Sequence, residues 1–121
     1  MQEARRLFSS LLGQAPYKTE TVEREKVSTS FFNIGKSKIE LLEATDHESP
    51  VAKFLAKRGE GIHHIAFEVD DIYKEMSRLQ EEGFTLLSAK PAKGADNKLV
   101  CFLHPKSVNG VLVELCQEIK Q

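Results

Sequence analysis

The chain has 121 residues, 40% of them apolar and 29% charged, with a formal net charge of −1. That length suits one domain, or two small modules sharing one core, and the near-neutral balance argues against nucleic-acid or membrane-surface partners held by bulk electrostatics. No apolar run is long enough to span a bilayer and the N-terminus lacks a signal-peptide core, so a soluble, cytoplasmic protein is expected.

Residues 2–12 place Ala4, Leu7, Phe8, Leu11 and Leu12 at helical spacing, and Gly13 supplies a stop, which predicts an amphipathic helix with one buried face. Three strand-like runs follow: Pro16 to Glu23, Val27 to Ile34 and Lys38 to Glu43, the last two joined by a turn at Gly35 and Lys36. A short linker helix, Pro50 to Lys57, is expected next, capped by Ser49 or Asp46 and ended by Gly59 and Gly61. Then GIHHIAFEVDD, Gly61 to Asp71, reads as an alternating strand, Ile62 to Val69, running into a helix start. The helix over residues 70–82 takes Asp70 or Asp71 as its N-cap, sets Ile72, Met76 and Leu79 on one face and stops at Gly83. Three more strands are predicted at Phe84 to Ser88, Lys98 to Leu103 and Val111 to Gln117, with a turn at Pro105 to Gly110. Cys101 and Cys116 have neither zinc spacing nor a CxxC pairing and read as small strand hydrophobes of a reducing compartment.

The order helix, strand, strand, strand occurs twice, so the chain reads as an internal duplication. Residues 1–45 form module one (αβββ), 46–60 the linker helix and 61–121 module two (βαβββ). Module two opens with a strand that module one lacks. The offset from His64 to Gly83, measured back from Gly13, falls before Met1, and we expect that this sequence begins one strand late. A βαβββ unit without its first strand leaves a sheet edge to be satisfied.

Side chains alternate along a strand. His64, Ala66 and Glu68 therefore share one face, and Ile65, Phe67 and Val69 share the other, which is expected to pack beneath a helix. In the last strand Leu112, Glu114 and Cys116 oppose Val111, Val113 and Leu115, which places Glu114 on the open side with His64. Glu40, between Ile39 and Leu41 in the last strand of module one, matches Glu114 between Val113 and Leu115. Two equivalent carboxylates and a histidine whose counterpart would lie in the absent strand outline a two-histidine, two-carboxylate site, suited to a divalent ion such as Mn, Fe, Co, Ni or Zn. His63 is expected on the face opposite His64, as a structural residue or a supporting one. His47, in a polar linker, and His104, at a turn, read as surface residues.

The segments Ser37 to Ile72 (SKIELLEATDHESPVAKFLAKRGEGIHHIAFEVDDI) and Phe102 to Leu115 (FLHPKSVNGVLVEL), with Asn33 to Gly35 (NIG), resemble methylmalonyl-CoA epimerases of the vicinal oxygen chelate superfamily. The resemblance covers nearly the whole chain and sets it apart from glyoxalases and ring-cleaving dioxygenases. It implies an α+β fold of paired βαβββ modules, here with the first strand absent, and a divalent metal ion (Co, Mn, Ni, Zn or Mg). In the family that ion is held by a histidine on the first strand, a Gln or Glu on the fourth, a histidine on the fifth and a Glu on the eighth. By motif the last three fall on Glu40, His64 and Glu114, and the first has no position in this sequence. Lys26 to Phe31 offers no acid where the family places a second base, with Glu25 just upstream.

What the resemblance further implies is an isomerase that moves the C2 proton of methylmalonyl-CoA through an enolate, with Glu114 as one catalytic group. An acyl-CoA substrate follows, whose phosphates would meet lysines such as Lys36, Lys90, Lys93 or Lys106. A homodimer is also implied, in the cytoplasm or, in a eukaryote, the mitochondrial matrix. The alternatives are another metal lyase or isomerase of the glyoxalase type, and a catalytically silent binding module.

Overall fold

The computed structural model describes residues 2–119. The chain divides into two compact units, Met1–Gly61 and Ile62–Gln121. The first holds α1 (Gln2–Leu12), β1 (Lys18–Val22), β2 (Val27–Ile34), β3 (Ser37–Ala44) and α2 (Pro50–Arg58). Its sheet is antiparallel in the order β1-β2-β3. The second unit holds β4 (Ile65–Glu68), α3 (Ile72–Glu81), β5 (Ala92–Gly94), β6 (Lys98–Leu103) and β7 (Val113–Glu118), with the sheet order β4-β7-β6-β5. Here β4 runs parallel to β7, and β5, β6 and β7 pair antiparallel. The unit is thus the βαβββ arrangement expected for the second module, and β7 is an interior strand where β3 of the first unit is the last of its sheet.

The second unit's core follows from its helix pattern. Ile72, Met76 and Leu79 recur on one face of α3 and all three are buried, together with Cys101 and Leu103 of β6 and Val113 and Leu115 of β7. Each fully buried apolar side chain of this kind contributes about 1.5–3 kcal/mol. Asp71 is the N-cap, its carboxylate accepting the Lys74 amide at 3.2 Å, and Gln117 Oε1 accepts the Ile72 amide at 2.7 Å, so two of the helix's open N–H groups are satisfied. Gly83 ends the run with φ near +98°, a conformation that L side chains rarely adopt.

The first unit is built differently. Phe31 and Phe32 are fully buried, but the face of β2 that carries Ser30 is polar: Ser30 meets Thr19 Oγ1 at 3.0 Å and accepts from Arg5 Nε of α1 at 3.2 Å. The expected buried face of α1 is therefore only half realised. Phe8 and Leu12 are half-buried, and Leu7 and Leu11 stay exposed. At α2, Ser49 rather than Asp46 is the N-cap, accepting from the Val51 amide at 3.2 Å, and Asp46 instead accepts the Glu48 amide at 2.8 Å, which holds its carboxyl below the usual range.

Three further expectations change. The run Phe84 to Ser88 does not form a strand; only an isolated bridge, Leu86 with Leu103, survives there, and β5 lies later, at Ala92–Gly94. The ordered strand sits where the backbones can approach closely: a Cβ on Gly94 would lie 3.1 Å from both γ-carbons of Val100. The second change concerns β4, which starts at Ile65, so both histidines precede it. The third is that Ile65 and Phe67 remain about half exposed, because α3 packs over β6 and β7 and only Val69 reaches that cluster.

Cys101 and Cys116 are both free thiols and buried. Burial pushes the Cys101 thiol up to about 11 from an ordinary value of 9.0, aided by the Glu114 charge and opposed by a hydrogen bond with the Leu115 backbone. An acid whose pKa is raised by folding favours the folded state in its neutral form. That contribution is complete below the unfolded pKa and fades as pH rises from about 9 to about 11. We expect iodoacetamide at pH 8 to label Cys101 only after denaturation, and the urea midpoint to fall across that alkaline window. Native labelling as fast as that of a free thiol would contradict the burial.

A candidate active and metal site at the head of β4

Glu114 occupies the second position of β7, between Val113 and Leu115, whose side chains face α3. Alternation turns Glu114 to the other side of the sheet, where its register partners are Ala66 on β4 and Phe102 on β6. Alanine leaves room there. The Ile65 amide donates to the Leu112 carbonyl at 3.1 Å, which draws the chain just before β4 alongside β7 and brings His64 to Glu114. His64 Nε2 lies 2.8 Å from Glu114 Oε1, with the two side chains only 14% and 15% exposed. The Phe102 ring stands edge-on to the His64 ring, 5.6 Å between centroids.

A carboxylate so nearly removed from water is costly unless paired, and the imidazole supplies the pairing. Such a couple differs from a surface ion pair in strength and in chemistry: the carboxylate is a better base for being poorly hydrated.

His63 joins the same cluster. Its Nδ1 lies 2.9 Å from His64 Nδ1 and its ring stands at 87° to the His64 ring. The expectation that it would face away from His64 fails because strand alternation does not extend back to residues that precede the strand. Burial, then the neighbouring His64 charge, lower the pKa of His63, while Glu114 opposes the shift.

Glu40 stands on β3 of the first unit, exposed, with Phe31 as its register partner on β2. The second unit pairs Glu114 with Phe102 in the same way. Each unit therefore carries a carboxylate on its last strand beside a phenylalanine on the strand before it, a repeat that spacing alone did not reveal. On the Phe31 face of the first unit, Tyr17 and Lys18 follow, the Lys18 ammonium 5.1 Å from the Phe31 ring centroid.

Whether a divalent ion fits can be asked of the donors themselves. Ligands at about 2.1 Å from a metal and at right angles to one another lie about 3 Å apart, close to the separation of His64 Nε2 and Glu114 Oε1. An imidazole nitrogen beside a carboxylate oxygen also suits the borderline first-row ions. The pair fits. Among the described residues no group of three or more His, Cys, Asp or Glu side chains is gathered as a metal cage.

The remaining candidates are placed plainly. His104 caps a short 3-10 turn, its Nδ1 accepting the Lys106 amide at 3.0 Å, and His47 is exposed beside Asp46. The Glu25 carbonyl accepts from the Ser49 hydroxyl at 3.3 Å, and its side chain lies near Arg24. Lys36, Lys90, Lys93 and Lys106 are all exposed.

The sequence profile of the Glyoxalase/Bleomycin resistance protein/Dioxygenase superfamily matches residues 1–102. The chain is 40% identical over 116 residues to the mitochondrial methylmalonyl-CoA epimerase of Dictyostelium discoideum, covering 95% of this chain and 70% of that protein. It is 48% identical over 93 residues to the ethylmalonyl-CoA/methylmalonyl-CoA epimerase of Cereibacter sphaeroides, covering 75% and 69%. Among solved structures it is similar to a methylmalonyl-CoA epimerase in complex with methylmalonyl-CoA and NH4+, with a TM-score of 0.92 at 31% identity, over 98% of this chain and 86% of that one.

Proposed function

The chain belongs to the Glyoxalase/Bleomycin resistance protein/Dioxygenase superfamily and, within it, to the methylmalonyl-CoA epimerases, and on that premise we propose that it interconverts the C2 epimers of methylmalonyl-CoA with Glu114 as one of its proton-transfer groups. The observation that carries the reading is the desolvated couple of His64 and Glu114 at 2.8 Å. The structural relative bound to methylmalonyl-CoA supports the substrate.

The C2 proton lies between a thioester and a carboxylate, and its removal builds negative charge on the thioester oxygen. Glu114 takes or returns that proton from one face of the enolate, and a second group must serve the other face. Its low hydration raises its basicity, and His64 fixes the orientation of its carboxylate. His64 and Glu114, with Glu40 as the equivalent carboxylate of the first module, are the residues that would hold a divalent ion. When bound, such an ion supplies Lewis-acid stabilisation of the developing oxyanion.

The test is C2 exchange of methylmalonyl-CoA in deuterated water, with the purified protein supplied in turn with Co2+, Mn2+, Ni2+, Zn2+ and Mg2+. Incorporation of deuterium with equilibration of the two epimers is expected. If no ion yields exchange, the reading falls, and a glyoxalase-like reaction or a silent binding module takes its place.

A further inference from the structure

The contact between the two histidine rings carries more than packing. A hydrogen bond between two Nδ1 atoms needs one donor and one acceptor, so the 2.9 Å contact admits a single proton between His63 and His64. The other nitrogen of His64 is committed to Glu114 at 2.8 Å. Both nitrogens of His64 are therefore engaged, one by each neighbour, and the ring is fixed in plane and in orientation. We infer that His63 is a positioning residue whose Nδ1 sets the tautomer of His64 and keeps its Nε2 directed at the Glu114 carboxylate.

The two protonation patterns that satisfy the chain of bonds differ by one exchange of roles. With Nε2–H of neutral His64 donating to Glu114, its Nδ1 is bare and accepts from Nδ1–H of His63. With the Nε2 lone pair presented to a cation instead, the proton of His64 resides on its Nδ1, and His63 Nδ1 becomes the acceptor. No ring need turn over. A phenylalanine at position 63 would fill similar space but could play neither role, and an asparagine could play both, because its carboxamide offers an acceptor and a donor at about the place of Nδ1. Partners of this kind on ligating histidines typically alter metal affinity by about 10–100-fold. The bearing on a cation rests on the metal reading given above; the bearing on the tautomer does not.

The experiment compares the wild-type chain with His63→Phe and His63→Asn. In the metal-free protein, 15N-edited NMR of the imidazoles reads the His64 tautomer. We expect one dominant tautomer in the wild type, a mixture in His63→Phe and a return to one tautomer in His63→Asn. Calorimetric titration with Co2+ alone should show an affinity loss of about tenfold or more in His63→Phe and recovery to within a few-fold in His63→Asn. Circular dichroism reports whether each variant folds, and His63→Asn carries the test if His63→Phe does not. Unchanged His64 signals and unchanged Co2+ affinity in a folded His63→Phe would overturn the assignment, as would an His63→Asn variant that behaves like an unfavourable phenylalanine. If the wild type takes up no Co2+ while the tautomer shifts as described, the metal reading fails and the positioning role stands.

Discussion

Replacing Glu114 by glutamine should lower epimerisation kcat by roughly 10²–10⁴-fold, the range in which a positioned proton-transfer group acts, with little change in the far-ultraviolet circular dichroism. The substitution preserves shape: the glutamine Oε1 can still accept from His64 Nε2–H, and the flanking Val113 and Leu115 keep their places under α3. What disappears is the negative charge and with it the basicity. Because the two side chains are 14% and 15% exposed, water is poorly placed to substitute for either partner. Solvent-derived deuterium at C2, measured beside net epimerisation, separates a lost base from lost binding, since a binding defect alone raises KM and leaves kcat standing. Near-normal turnover by a folded Glu114→Gln would remove this residue from the chemistry.

The largest effect on stability is expected at Ile72. It is fully buried as the first residue of α3, and its neighbours in the cluster come from both β6 and β7, so the side chain couples the helix to two strands at once. Ile72→Ala should reduce unfolding free energy by about 2–5 kcal/mol, and Ile72→Val by about 0.5–1.5 kcal/mol. The spread depends on how far the site collapses. The Gln117 hydrogen bond to the Ile72 amide resists that collapse because it ties the backbone at that position to β7. Urea denaturation followed by circular dichroism measures both variants. A loss below about 1 kcal/mol in Ile72→Ala would mean that the cavity closes and the helix end moves with it.

Legibility in the sequence followed the physics of each element. The helices were readable because caps and apolar spacing agree: Ser49, Asp71 and Gly83 all act as the local chemistry predicts. Val27–Ile34 and Lys98–Leu103 are strands over the expected bounds. Phe84 to Ser88 misled because two adjacent leucines mimic a strand, whereas the ladder forms where Gly94 lets it approach Val100. At the site, residue type and duplication selected His64 and Glu114, and the structure brings them together. The contact with His63 was illegible because it depends on where β4 begins, and strand ends are fixed by pairing with β7 rather than by local preference. The polar helix-facing layer of Thr19 and Ser30 was likewise hidden, since alternation shows which residues face inward and not whether a helix above them will offer an arginine.

The parallel pairing of β4 with β7 has a bearing on how the chain acquires its chemistry in time. Ile65 aligns with Val113, the first and last strands of the second unit, and everything between them must be arranged before that closure is favourable. During synthesis the strand that carries Glu114 emerges last, so a nascent chain that already shows α3 still has a histidine pair and no carboxylate to receive it. Reactivity thus arrives in one step, with the strand that completes the sheet, and an unfinished or partly opened chain holds no half-built acid–base couple to act on a thioester out of turn.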